Sequence, residues 1–465
     1  MKTDTIAAAA TAVPPMGGAG IGVVRISGED AILVADRVFF AGSGKHLADQ
    51  ESHTAHYGHI RDEEGVIDEV IVLLMRAPRT YTREDTVEID CHGGAFVMRR
   101  ILETVIRNGA RPAEPGEFTK RAFLNGRIDL SQAESVLDVI QAQNEFALKN
   151  SVRQLSGSVS SEVRRVRGEI LHQIAYIESA LDDPEHISLD GYPCRLKEIV
   201  SEQVRDIQKL LKNSDDGRIL KEGISTVIAG KPNAGKSSLL NWLVGEERAI
   251  VTEIPGTTRD VLEEQISLDG IVLRLTDTAG IRSTEDPVEK IGVDRAKKFL
   301  TDADLVFYVV DSSTNFDESD AGIIELLPGK KTIIIFNKSD LTARTTPQEV
   351  KSLIGKENEN CRFVTVSAKE QTGKEELCEA VREMFFAGKI FQNDQVYITN
   401  IRHKAALLDT LASLELVKQS IDGGMPEDFY SIDLMNAYEE LGKITGEAVE
   451  DDLVNEIFSK FCMGK

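Results

Sequence analysis

The sequence predicts a multidomain chain of mixed α/β and α+β class. An α+β N-terminal domain comes first, then a helical domain in two sequence pieces with a P-loop nucleotide-binding domain inserted between them. Three observations predict this. Residues 1–120 alternate strand-like apolar runs with short helical segments and glycine turns. Residues from about 129 to 211, and again beyond 401, carry apolar side chains at helical spacing. Between them lies Gly230-Lys231-Pro232-Asn233-Ala234-Gly235-Lys236-Ser237, a complete phosphate-binding loop.

In the first domain, 1–120, Gly22 to Ile26 and Val70 to Met75 read as strands. His53, His56 and His59 recur every third residue, a spacing that does not hold side chains on one face of an extended stretch, so they read as surface residues rather than metal ligands. The helical domain is expected over 121–222 and 385–465. Apolar residues at 152, 155, 159, 163, 166, 170, 174, 177 and 181 predict one long amphipathic helix, ended by Asp182-Asp183-Pro184. Its seam is read as packing within the chain. Asp182, Asp183 and Glu185 read as a solvated helix end, and Arg164, Arg165 and Arg167 as a solvated helix face, the best basic patch on offer. Helical patterns resume at Ile199 to Leu211, Ile401 to Ile421 and Ile432 to Phe461.

The inserted domain, 223–384, carries its motifs at the ends of strand-like runs. Thr226 to Ala229 is the strand before the P-loop, and Ser238 opens the helix after it. Backbone N–H groups there face phosphate oxygens, Lys236 reaches the β- and γ-phosphates, and the Ser237 hydroxyl suits Mg²⁺. Asp277-Thr278-Ala279-Gly280 follows the run Ile271 to Leu275; its Asp can hold the Mg²⁺ shell and Gly280 can offer its N–H to the γ-phosphate. Asn337-Lys338-Ser339-Asp340 selects guanine, because a carboxylate accepts from N1–H and the exocyclic amine, which adenine does not supply. Ser367-Ala368-Lys369 is a second, weaker base-contacting element. Gly256-Thr257-Thr258-Arg259-Asp260 reads as switch I, with Thr258 as the second Mg²⁺ ligand. Ras-type enzymes orient the attacking water with a Gln just after the motif that ends here at Gly280; no Gln follows Gly280 nearby, so activation needs another source. Asn233 and the stretch Thr252-Glu253-Ile254-Pro255-Gly256-Thr257 are candidates to hold a monovalent cation. The residues alone leave open whether Asn233 does this or only fixes its own turn.

Composition sets limits. At 465 residues there is room for about three domains, and a net charge of −23 argues against holding nucleic acid over a broad surface unaided. Cys91, Cys194, Cys361, Cys378 and Cys462 show no CxxC spacing, so neither a disulfide framework nor a zinc site is expected. No stretch approaches a membrane span, and the expected compartment is the cytoplasm.

Matches outside the nucleotide domain carry a family resemblance. They are Asp4 to Ala8, Gly20 to Gly28, Tyr81-Thr82-Arg83-Glu84-Asp85, Cys91-His92-Gly93-Gly94, Arg111 to Thr119, Ala122 to Leu130 and the tail Phe461-Cys462-Met463-Gly464-Lys465. With these, the chain resembles end to end the MnmE (TrmE) family of tRNA-modifying GTPases. The resemblance implies an N-terminal folate-binding domain that dimerises, a split helical domain and an inserted Ras-like G domain. It implies a homodimer working with a flavoprotein partner of the MnmG (GidA) type. Together they add an aminomethyl or carboxymethylaminomethyl group to C5 of a tRNA wobble uridine. The one-carbon unit would come from 5-formyl- or methylene-tetrahydrofolate, with glycine or ammonium, and FAD and NADH through the partner. GTP hydrolysis would be stimulated as two G domains meet across bound K⁺.

Carried over by position, the resemblance makes Asn233, Thr252, Ile254 and Thr257 the K⁺ ligands, and Ser237 and Thr258 the Mg²⁺ ligands. Glu289 matches the switch II glutamate that orients the attacking water through another water, beside Lys236 as the other catalytic group of the GTPase. Folate contacts map to Arg25, Glu88, Arg127 and Lys465, and Cys462 is a candidate reactive thiol. Two positions depart from the family pattern. Met463 stands where Ile is usual, a swap of similar size, and Arg127 stands where Lys is common, which keeps charge but changes hydrogen-bond geometry. The rival reading is a ribosome-assembly GTPase switch without modification chemistry; Arg25, Glu88 and the Phe-Cys-x-Gly-Lys tail have no reason to exist in it.

Overall fold

The structure, a computed structural model, describes residues 4–12, 19–42, 44–212, 214–246, 263–276, 303–317, 320, 329–354, 360–386, 397–447, 451–461 and 464. They form two compact units, 1–140 with 154–201 and 409–465, and 141–153 with 202–408.

The elements of the first unit begin with β1 (Ile6–Ala9), β2 (Ala19–Ser27), α1 (Ala31–Val38), β3 (Phe39–Ala41), β4 (Thr54–Asp62), β5 (Gly65–Met75), β6 (Thr86–Gly93), α2 (Ala95–Arg107) and β7 (Arg111–Pro112). The strands make a sheet in the order β3-β4-β5-β6-β2-β1-β7, antiparallel except where β1 meets β7. Alternation decides its two faces. Val70, Val72 and Leu74 of β5 and Val87, Ile89 and Cys91 of β6 point to one face, where they bury against Val34 and Ala35 of α1 and Met98, Ile101 and Val105 of α2. Arg25 and Glu88 alternate to the other face, opposite each other in the β2–β6 register.

Helices follow: α3 (Glu117–Leu124), α4 (Leu130–Gln141), α5 (Glu145–Leu155), α6 (Ser158–Asp182), α7 (Tyr192–Lys212) and α8 (Ser214–Glu222). The one long helix expected through 152–181 is two. Gly157 sits between α5 and α6 in the left-handed region, φ 93°, and interrupts a seam whose apolar spacing runs on undisturbed. Arg167 corrects a second expectation. It is buried rather than solvated, with its guanidinium 3.9 Å from the centre of the Tyr438 ring, Nε donating to the Tyr438 carbonyl at 3.1 Å, and a pairing with Glu447. Arg164 donates to the carboxylate of Asp129 at 3.0 Å.

The second unit holds β8 (Ile224–Gly230), α9 (Lys236–Glu246), β9 (Glu263–Leu268), β10 (Ile271–Thr276), β11 (Leu305–Asp311), β12 (Lys331–Asn337), α10 (Pro347–Ile354), β13 (Cys361–Thr365) and α11 (Lys374–Phe386). Its sheet runs β13-β12-β11-β8-β10-β9, parallel except for β9 against β10. β11 and β12 are near-continuous apolar runs, as strands covered on both faces must be. The chain ends with α12 (Ile401–Asp422), α13 (Glu427–Thr445) and α14 (Asp451–Ser459). Gly116, φ 67°, fits under the segment after α14: a Cβ there would stand 2.7 Å from the Phe458 carbonyl and 2.8 Å from Phe461.

Candidate functional site

The parallel strands of the second unit end together, and the turns that leave them assemble one site. β8 ends at Gly230, whose φ of 145° and closeness to the Val309 carbonyl leave no room for a side chain. The loop turns through Asn233 (φ 65°) and Gly235 (φ 94°), and α9 begins at Lys236. Its ammonium donates to the carbonyls of Gly230 (2.8 Å) and Lys231 (2.7 Å), at the mouth of the loop. Ser237 and Asn233 are exposed beside it.

Asn337, at the end of β12 and 1% exposed, joins three loops. Its Nδ2 donates to the Ala234 carbonyl of the P-loop at 3.0 Å, and its Oδ1 accepts from the Ala368 N–H at 3.1 Å. A Cβ on Gly235 would overlap Nδ2 of Asn337. The Ser367 hydroxyl donates to Asp340 Oδ1 at 2.7 Å, and that bond holds the Asp340 carboxyl below its usual range. A cavity of about 340 Å³ opens between Gly235, Ser238, Lys338, Asp340 and Ala368, and Lys369 lies exposed at its edge. The loop geometry fits a phosphate, and the carboxylate-ended cavity fits a purine with N–H donors.

Two features here escaped the sequence reading. Lys231 pairs with Asp317 (2.7 Å) and Asp320, and the buried Tyr308 hydroxyl donates to Asp320 at 2.7 Å. Lys338, itself left-handed at φ 63°, reaches Asp311 at 2.5 Å. The available signal was an Asp ending the apolar run Leu305 to Val310, at the same end of the sheet as the P-loop.

A second cluster lies in the first unit. Arg25 Nε donates to Glu88 Oε1 at 2.7 Å, and Arg25 Nη1 lies 3.4 Å from the Gly464 carbonyl. The guanidinium stands 5.6 Å from the ring centres of both Tyr81 and Phe118, and that of Arg127 stands 4.6 Å from Tyr81. Gly464, φ 87°, lies so close to Ala9 and Ala10 that no side chain fits. Arg25, Glu88 and Arg127 are thus brought together around Tyr81, with Gly464 against Arg25. The donor set, two guanidiniums and a carboxylate, fits a ligand with an acidic tail and a hydrogen-bonding ring edge. Neighbouring side chains are locked by ions: Arg111 donates to Glu117 at 2.5 Å and also pairs with Asp4, while Arg121 donates to Glu117 (3.0 Å), Asp4 (2.7 Å) and Glu84 (3.1 Å).

The remaining expected site residues lie outside the described residues: Thr252, Glu253, Ile254, Pro255, Gly256, Thr257, Thr258, Asp277, Thr278, Ala279, Gly280, Glu289, Cys462 and Lys465. Among the described residues no helix is long and apolar enough to cross a membrane.

A family model described as "MnmE helical domain" matches residues 130–462, and one described as "GTP-binding protein TrmE N-terminus" matches residues 5–127. The chain is 56% identical over 466 residues to the "tRNA modification GTPase MnmE" of Lachnoclostridium phytofermentans, covering 100% of both chains. It is 47% identical to the protein of the same description from Listeria welshimeri, again over 100% of both. The identity is also 47% to that of Geobacillus kaustophilus, over 99% of each. Matches of this identity run through both clusters and the helices between them, and the chain belongs to the MnmE (TrmE) family of tRNA modification GTPases.

Proposed function

We propose that this chain is a K⁺-stimulated GTPase whose cycle serves a folate-dependent modification at C5 of the wobble uridine of tRNA. The observation that carries the nucleotide half is Asn337, which ties the P-loop to the base-reading loops while the Ser367 hydroxyl donates to Asp340. GTP then lies with its guanine on Asp340 and its phosphates under the P-loop N–H groups and Lys236. Charge develops on the γ-phosphoryl oxygens in the transition state, and a fixed ammonium and oriented N–H groups stabilise it without reorganising. Ser237, with Thr258, would hold Mg²⁺, which supplies neutralisation of phosphate charge. Asn233, with Thr252, Ile254 and Thr257, would hold K⁺ where other GTPases use an arginine; an exposed amide oxygen beside the loop suits that ion. Glu289 would orient the attacking water, as the family resemblance implies.

For the modification half, Arg25 and Arg127 would hold the acidic tail of a tetrahydrofolate and Glu88 its ring edge, with Lys465 as a further contact and Cys462 as a candidate reactive thiol. Folate supplies the one-carbon unit. We take 1–120 as the folate-binding and dimerising domain, 121–222 and 385–465 as the helical domain, and 223–384 as the G domain. The partners are a second copy, a flavoprotein bringing FAD and NADH, and tRNA, in the cytoplasm. The Arg25–Glu88–Gly464 cluster favours this over a ribosome-assembly switch, which needs no such site.

Steady-state GTP hydrolysis in KCl and in NaCl at matched ionic strength, over a range of protein concentration, tests the proposal. The expected outcome is a rate that rises strongly with K⁺ and with concentration. Equal rates in the two salts would remove Asn233 and the paired G domains from the mechanism.

A further inference from the structure

Asp311 and Lys338 meet because of strand register. β11 and β12 are parallel and end together, with Asp311 opposite Asn337 in the last pair. One residue later the chain is left-handed at Lys338, and the lysine ammonium returns to Asp311 Oδ2 at 2.5 Å. The carboxylate is held from the other side: Oδ1 accepts from the Ser313 N–H (2.9 Å) and hydroxyl (2.6 Å). Ser312 binds the same loop, its N–H and hydroxyl donating to the Asn337 carbonyl at 3.0 and 2.8 Å. The turn after β11 therefore grips both the backbone and the side chain of the guanine-reading motif.

The two residues face different spaces. Lys338 lines the cavity of about 340 Å³ with Gly235 and Asp340, whereas Asp311 lines a separate one of about 260 Å³ with Lys231 and Asn233. The lysine stem thus runs from the base side to the P-loop side, with its charge drawn off at the far end. A methylene stem held in this way is a ready apolar wall for a purine face. A lysine without the anchor would send its ammonium to water and carry the wall away with it.

We infer that Asp311 is a positioning residue for guanine nucleotides, anchoring Lys338 so that its stem forms a preformed wall of the base cavity. The inference rests on the guanine-site reading above and deepens it. Preorganisation of this kind lowers the ordering cost of binding, so its loss falls on nucleotide release.

The test is a double-mutant cycle on the full chain with N-methylanthraniloyl-GDP as probe, read by stopped-flow dissociation and equilibrium titration. Asp311→Asn, which keeps shape and removes charge, is expected to weaken binding about tenfold through faster release, with KM for GTP rising much more than kcat falls. Lys338→Met is expected to weaken it at least as much, and adding Asp311→Asn to Lys338→Met to change it less than about twofold. Melting of the nucleotide-free proteins checks folding, and Asp311→Ser carries the same expectation if the Asn variant does not fold. Wild-type affinity in Asp311→Asn, or full additivity of the two effects, overturns the inference alone. A wild-type chain that does not bind the probe overturns the guanine-site reading with it.

Discussion

Cys91 shows how burial sets the chemistry of a single side chain. It points from β6 into the core beneath α2, with its thiol 3.3 Å from the Gly22 carbonyl. Burial first, and the Asp68 charge second, push that thiol up to about 11. Thiolate is the reactive form, so Cys91 is inert near neutrality, whereas Cys194 is exposed. Iodoacetamide at pH 8 followed by peptide mass spectrometry is expected to modify Cys194 in the native protein and Cys91 only after denaturant is added. Equal labelling would show that the core under α2 opens readily. At this scale the sequence was legible where chemistry is local. Gly230 to Ser237 announces itself because turn, helix start and lysine are neighbours in the chain. Asp311 did not, because its meaning depends on a strand register that pairs it with Asn337, 26 positions along the chain.

Among the elements, the α5–α6 junction separates what periodicity can and cannot say. Apolar spacing places the inward face of α6 correctly from Val159 to Ile177, but not that of α5, where Val152 is exposed, nor the helix end at Leu181, and it carries no information on whether the backbone is continuous. Gly157 carries that, in a conformation that side chains resist. The two possibilities predict opposite signs for Gly157→Ala. In a continuous helix the change would stabilise by roughly 1 kcal/mol. At φ 93° it is expected to destabilise by about 1–2 kcal/mol, read as a lower urea midpoint. Strands were more legible than helices: the runs ending at Gly230, Asn337 and Thr365 each lead directly into a motif. Arg167 was misread for the same reason as the junction, since helical spacing does not reveal that Tyr438, far along the chain, covers that face.

For the whole molecule, the charged network of the first unit predicts an acid limit. Hydrogen bonding from Arg111 holds the Asp4 carboxyl below its usual range. Burial opposes ionisation of Glu117, but bonds from Arg111, the Glu114 N–H and Arg121 outweigh it and hold this carboxyl low as well. Both carboxylates are more acidic folded than unfolded, so the unfolded chain takes up protons first as pH falls. Their stabilisation is complete above the ordinary glutamate value of 4.5 and is lost as pH drops through the folded values. Urea midpoints against pH are expected to fall below 4.5, and more gently in Glu117→Gln; an unchanged slope would remove Glu117 from the network's contribution.

The anchoring of Gly464 beside Arg25 also has a consequence in time. These residues are 439 positions apart, and Gly464 closes on Ala9 and Ala10 with no space to spare. During synthesis at about 5–20 residues per second, the N-terminal sheet leaves the ribosome tens of seconds before its last neighbour exists. The nascent domain must hold its two arginines and its glutamate in place with that side open. The ion pairs of Arg111 and Arg121 with Glu117 are available from the moment residue 121 emerges and can keep the half-built pocket in shape while it waits.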